Sequence, residues 1–213
     1  GDYGVLTARW DGNALQDCTL VEANGNTLKF DSSGLLVQML APGGKAGVTL
    51  AYTDGYLVKL THSAGQTLSL SRGGGKYNAI TAIADQDGRS VSYTYTADGE
   101  QIESFTDVNG LITSYSYSRG NKANYYMLKS ILHRDATQSN YTYDDLGRIV
   151  SFTQADGALP LTFSYENNGL IHQTDALGVS MSFRFNVDGM ITEIRNTDGT
   201  TLLNEYDSGK NLI

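Results

Sequence analysis

Tyr141-Thr142-Tyr143-Asp144-Asp145-Leu146-Gly147-Arg148-Ile149-Val150-Ser151-Phe152 decides the fold. Tyr141 and Tyr143 alternate with Thr142, the period-two pattern of a strand with one apolar face. Asp144 to Gly147 is a polar turn that ends on glycine. Ile149 and Phe152 then open a return strand. Working outward, the aromatic pair recurs about every 22 residues, as Tyr93/Tyr95, Tyr115/Tyr117, Phe163/Tyr165 and Phe183/Phe185, and restarts at Tyr206. Weaker copies stand at Leu28-Lys29-Phe30, Leu50-Ala51-Tyr52 and Leu68-Ser69-Leu70. A fixed period of this size means stacked supersecondary units. The chain reads as one array of about nine hairpin units over residues 1–213, with an irregular start over 1–20.

Each unit contains two turns. Asp-Gly recurs at 11–12, 54–55, 87–88, 98–99, 156–157, 188–189 and 198–199, and glycines such as Gly99, Gly147, Gly189 and Gly209 supply backbone that tolerates positive φ. Turns this frequent leave no room for ordinary helices. The return strands carry apolar residues three apart: Leu36/Met39, Leu57/Leu60, Ile80/Ile83, Ile102/Phe105, Ile149/Phe152 and Ile191/Ile194. A bulge at the same point of every unit places both on one side and bends the strand. The expected fold is therefore all-β, a continuous curved antiparallel sheet of repeated hairpins. Stacking is expected to bury the tyrosines, at about 2 kcal/mol for each well-buried ring.

Composition agrees. The 213 residues include 24 Gly, 14 Tyr and 2 Pro. A net charge of −8 argues against a nucleic-acid partner, and no stretch has the length of apolar sequence that inserts in a membrane. Cys18 is the single cysteine, so it has no intramolecular disulfide partner, and it reads as a small buried apolar residue. Unpaired edges at the ends of such an array invite edge-to-edge association. The stretch Glu205 to Ile213 restarts a repeat, so a longer protein is expected.

Tyr141 to Ile149 resembles the YxYDxxGR signature of Rhs/YD-repeat proteins, and Tyr206-Asp207-Ser208-Gly209 is a shortened copy. Phe105 to Gly110 and Gln173 to Gly178 resemble the second half of that repeat. The resemblance covers about residues 20–213 and extends to bacterial Rhs proteins, insecticidal toxin complexes and teneurins. It implies a β-sheet that spirals into a shell around a toxin cargo, or a surface scaffold for adhesion with carbohydrate binding. It implies an extracellular or cell-surface location, with neighbouring repeats, and glycans or a cell-surface protein, as partners. The Tyr, Asp, Gly and Arg positions of the repeat, Tyr93, Tyr95, Gly99, Tyr115, Tyr117, Tyr141, Tyr143, Asp144, Gly147, Arg148, Phe163, Tyr165, Gly189, Tyr206 and Gly209, are expected to be structural. The family's self-cleaving DPxG motif is missing, since neither Pro42 nor Pro160 follows Asp.

No catalytic, cofactor or metal constellation stands out. His62, His133 and His172 lie in different repeats without ligand spacing, and a Ser-His-acid relay would need the fold to assemble it. Asp85-Gln86-Asp87-Gly88 lacks the later ligands of a calcium loop and reads as a turn. Arg72-Gly73-Gly74-Gly75-Lys76 lacks phosphate-loop spacing. Ser71 to Asn78 and Arg119 to Tyr126 read as longer loops at a sheet margin. Trp10, Tyr125 and Tyr126 stand outside the regular pairs and are the candidates for stacking on sugar rings. The sequence therefore points to a structural segment, with an adhesion module as the alternative and no enzyme activity.

Overall fold

The computed structural model describes residues 4–119, 125–154 and 157–213. Gly120 to Asn124 of the second longer loop and Asp156 of one Asp-Gly pair lie outside these residues. The chain divides into two compact units, Gly1–Leu111 and Ile112–Ile213.

The first unit runs β1 (Val5–Asp11), β2 (Ala14–Val21), β3 (Thr27–Phe30), β4 (Leu36–Leu40), β5 (Gly47–Thr53), β6 (Tyr56–His62), β7 (Thr67–Gly74), β8 (Ala79–Asp85), β9 (Ser90–Tyr95) and β10 (Ile102–Thr106). Each strand pairs antiparallel with the next. The second runs β11 (Ile112–Arg119), β12 (Tyr125–Leu132), β13 (Gln138–Tyr143), β14 (Ile149–Gln154), β15 (Ala158–Tyr165), β16 (Leu170–Thr174), β17 (Ser180–Phe185), β18 (Ile191–Asn196) and β19 (Thr201–Leu203). It is an antiparallel meander of the same kind. No helix occurs among the described residues.

The expected bulge is present. Tyr143 pairs with Ile149 and Thr142 with Ser151, which leaves Val150 as the extra residue between Ile149 and Phe152. The same register shift stands beside Phe30, Tyr52, Arg72, Tyr95, Tyr117 and Phe185. Only one extra residue fits between a hydrophobe at i and one at i+3 if both are to face the same way. Hairpin β15–β16 has no shift, and Tyr165 pairs with Ile171 in simple alternation.

Several expectations fail. Within the expected irregular start over 1–20, residues 5–20 are a regular hairpin, β1 and most of β2, because Asp11-Gly12-Asn13-Ala14 closes a two-residue turn. The glycine-rich stretch after Leu70 is still strand as far as Gly74, and β11 likewise continues to Arg119. Cys18 is half-buried. The largest correction concerns the core: among the described residues no apolar side chain is buried, and Ser139, 3% exposed, is the one buried polar residue. A single sheet layer has no second layer to cover either face, so the tyrosines of the repeat pairs stay half-buried. Their apolar contribution is correspondingly below that of a buried ring.

The Gly75 turn packs on the next hairpin. Lys76 N donates to Gly99 O at 3.2 Å, and Lys76 Nζ meets Glu100 Oε1 at 2.8 Å. A Cβ at Gly99, where φ is +73°, would stand 2.2 Å from Lys76 N, whereas one at Gly34, with φ +81°, meets nothing within 4 Å. Gly99→Ala is therefore expected to lower stability by about 2 kcal/mol or more, against about 1 kcal/mol for Gly34→Ala, the cost of left-handed backbone alone. Urea unfolding of the two variants measures the difference.

Candidate functional surfaces

The repeat joint is built from the bulge. An extra residue interrupts the ladder and leaves a carbonyl without a strand partner. In the second unit Tyr143 Oη donates to Leu128 O at 2.8 Å, Tyr165 to Ile149 O at 2.7 Å and Tyr206 to Ile191 O at 2.9 Å. In the first, Tyr52 donates to Leu36 O at 2.8 Å and Tyr95 to Ile80 O at 2.6 Å. Each acceptor is the hydrophobe at the bulge of the preceding hairpin. Where the position is arginine, Arg72 Nε donates to Leu57 O at 3.0 Å. Hairpin β15–β16 has no bulge, and the residue that would reach it is Phe185, which has no hydroxyl. Phe30 also lacks one, and it faces Cys18, three residues from the bulge at Leu15 of the β1–β2 hairpin.

The signature residues after the tyrosine close the turn. Asp144 Oδ1 accepts Leu146 N at 3.0 Å and Arg148 N at 2.9 Å, while Oδ2 accepts Arg148 Nε at 2.8 Å. Gly147, at φ +78°, donates to Asp144 O at 3.0 Å. The Arg148 guanidinium then lies 4.3 Å from the Tyr165 ring centroid, so one arginine joins its own turn to the next tyrosine. Backbone donation from Arg148, with its side chain and Leu146 N adding to it, holds the Asp144 carboxyl below its ordinary value of 3.8. Asp31, Asp107 and Asp175 accept the same two backbone donors. Asp87-Gly88, Asp188-Gly189 and Asp198-Gly199 thus sit inside four-residue turns that follow Asp85, Asn186 and Asn196, and Asp98-Gly99 inside one that follows Thr96; Asp54-Gly55 is a true two-residue turn, with both φ values positive. Gly209 departs from expectation. The residue three after Asp207 is Lys210, which takes the positive φ of +66° and donates to Asp207 O.

The two faces differ chemically. One carries the aromatic and aliphatic pairs, with Tyr93 and Phe105 centroids 5.6 Å apart and Tyr141 and Phe152 5.2 Å apart. Tyr115 pairs with Ile131 and Phe163 with Gln173 on the same pattern. In the first unit this face has a hollow of about 380 Å³ floored by Val48, Leu60 and Leu68 and rimmed by His62, Asp85 and Arg89. The opposite face carries cross-strand hydroxyl pairs: Thr94–Ser104 at 2.7 Å, Ser116–Ser130 at 2.7 Å, Thr142–Ser151 at 2.6 Å and Thr174–Ser180 at 2.8 Å.

The sugar-stacking candidates lie in different units, Trp10 in the first and Tyr125 and Tyr126 in the second. Trp10 is 59% exposed on β1. Tyr125 begins β12, and Tyr126, at φ +63°, has its ring 5.8 Å from the Arg119 guanidinium. The histidines are more engaged than their spacing indicated. His62 contacts Gln66, His133 contacts Ser139, and His172 contacts both Ser182 and Glu166. The His172–Ser182 contact comes from the register of β16 and β17, and the others join residues four or six apart across a turn. Among the described residues no three His, Cys, Asp or Glu side chains form a metal-holding group.

No family model matches the chain. A probable deoxyribonuclease RhsB of Dickeya dadantii (strain 3937) is 31% identical over 160 residues, 75% of this chain and 11% of that protein. The crystal structure of TcdB2-TccC3 without its hypervariable C-terminal region superposes over 100% of this chain and 13% of its own, with a TM-score of 0.66 at 15% identity. TcdB2-TccC3 itself gives a TM-score of 0.65, and TcdB2-TccC3-Cdc42 gives 0.58 at 12% identity over 99% of this chain and 15% of its own. The chain thus spans only a small part of each of these proteins.

Two outcomes follow from the joint. Tyr143→Phe is expected to lose about 1 kcal/mol, the net value of one hydrogen bond, while the ring contacts remain; chemical denaturation measures it. Acid weakens the turn. Above 3.8 Asp144 is ionised in both states, but as pH falls below 3.8 the unfolded chain takes up the proton first. The stabilisation is lost as pH drops through the lower folded value. The thermal midpoint should therefore fall between about pH 5 and about pH 2, and less steeply in Asp144→Asn. The asparagine keeps the capping oxygen, as Asn186 does for Asp188 and Met190.

Proposed function

Given that this chain belongs to the Rhs/YD-repeat family, we propose that it is a wall segment of a large secreted or surface-exposed Rhs-like protein. The scaffold role rests on one observation: a single sheet layer with a different chemistry on each face and no buried apolar side chain among the described residues. Such a layer suits a wall that separates two environments. Its long row of equivalent joints gives strength without a core, because each hairpin is held by the next. The name deoxyribonuclease belongs to a relative of which this chain matches 11%, and an acidic repeat with net charge −8 is poorly suited to hold DNA. We therefore assign this chain to the repeat part of such a protein and not to a nuclease part.

A wall shields one face. Leu68, 44% exposed on the aromatic face, and Thr94, exposed on the hydroxyl face, lie in the same unit. Cysteines placed singly at these positions in a Cys18→Ser background should react equally with a bulky maleimide-polyethylene glycol in the isolated chain. In the natural protein that carries the chain, only one of the two should react until the protein is unfolded. Equal reaction of both in the folded natural protein would exclude the wall.

The exposed Trp10 supports a second reading, in which the array is an adhesion module that contacts glycans at the cell surface. A glycan array probed with the chain and with Trp10→Ala separates the readings. Adhesion requires binding that the substitution weakens about tenfold or more, the effect of removing one stacking ring.

A further inference from the structure

We propose that Ser182, His172 and Glu166 on the hydroxyl face of the second unit form a nucleophilic relay for carboxylic esters. His172 Nε2 lies 2.9 Å from Glu166 Oε1 and Nδ1 lies 2.8 Å from Ser182 Oγ. The carboxylate accepts Nε2–H and so fixes the neutral tautomer whose Nδ1 lone pair receives the serine proton. The strands impose this order. His172 and Ser182 are direct partners across β16–β17, and Glu166 lies in the turn that leads into β16. The hydroxyl–hydroxyl pairs on this face contain no base, as in Thr142–Ser151. His133 also reaches a serine, at 2.9 Å, but Ser139 is only 3% exposed and is closed to substrate. The His172 and Glu166 side chains are 34% and 50% exposed, so the site is open to solvent.

On the other side of Ser182 its ladder partner is Arg195. That guanidinium gives one N–H to Glu193 Oε1 at 2.7 Å, which leaves further donors for an oxyanion. In the reaction Ser182 Oγ bonds to the ester carbonyl carbon, its proton passes to His172 Nδ1, and the carbonyl electron pair moves to the oxygen facing Arg195. Collapse of this adduct breaks the carbon–alkoxy bond, and the leaving oxygen takes the proton from Nδ1. Water, activated by the same nitrogen, releases the acid and restores Ser182. Ser182 and His172 are the catalytic residues and Glu166 is a positioning residue. Without enclosing walls the site cannot select a small molecule by shape, so the substrate class is an ester displayed on a polymer or surface.

The test uses the intact chain with a fluorophosphonate probe, peptide mapping and turnover of p-nitrophenyl acetate. The relay predicts modification at Ser182. It also predicts a fall of about a hundredfold in turnover in Ser182→Ala and His172→Gln, the range of general-base catalysis. Glu166→Gln should displace the pH–rate profile, which a purely structural contact would not do. Ser151→Ala, which lies outside the relay, should keep the wild-type rate. Absence of label at Ser182 in the folded chain, or an unchanged rate in Ser182→Ala with an unchanged thermal midpoint, would overturn the relay and leave His172–Ser182 as a strand-to-strand clasp.

Discussion

The hydrogen bond from a tyrosine hydroxyl to the carbonyl freed by a bulge holds this architecture together. A bulged strand bends, but it also leaves a polar backbone atom that needs a partner. The hairpin that follows supplies it: Tyr143 for Leu128, Tyr165 for Ile149 and Tyr206 for Ile191. Curvature and adhesion between units thus come from the same residue. The ring covers the apolar face and the hydroxyl closes the backbone. Arg72 performs the second task with a guanidinium, which shows that the requirement is a donor at that point and not an aromatic ring as such.

That requirement explains why the array stands without a core. In a two-layer protein the second layer buries the apolar face and most stability follows from area removed from water. Here neither face is covered within a unit, and stability comes from continuous ladders, capped turns and the joints. Asp144 and Arg148 extend the logic along the sheet margin, since the carboxylate organises its own turn and the guanidinium stacks on the tyrosine of the next. The opposite face, with its paired hydroxyls, makes few demands on neighbours and is free to carry other chemistry.

Much of this was legible in the sequence. The alternation at Tyr141-Thr142-Tyr143 gave the strand, and the spacing of Ile149 and Phe152 gave the bulge. The spacing also marked the exception, because β16 has no apolar pair three apart and no bulge. Burial was misjudged, since a pattern of apolar residues shows which way side chains face but not whether anything covers them. The hydroxyl-to-carbonyl bonds span 15 or 16 residues and depend on three-dimensional register, so Tyr and Phe looked equivalent. The same holds for His172, whose partners Ser182 and Glu166 lie ten residues after it and six before it. Gly209 was misread by one place because the turn counts three residues from Asp207, which ends on Lys210.

Native-state hydrogen exchange on the wild-type chain and on Tyr165→Phe tests the central account most directly. If each hydroxyl seals the bulge of the hairpin before it, loss of the Tyr165 hydroxyl will speed exchange in β14, β15 and β16. The strands of the first unit will keep their protection. Uniform acceleration across the whole chain, or no local change at β14 and β15, would contradict a scaffold held together joint by joint.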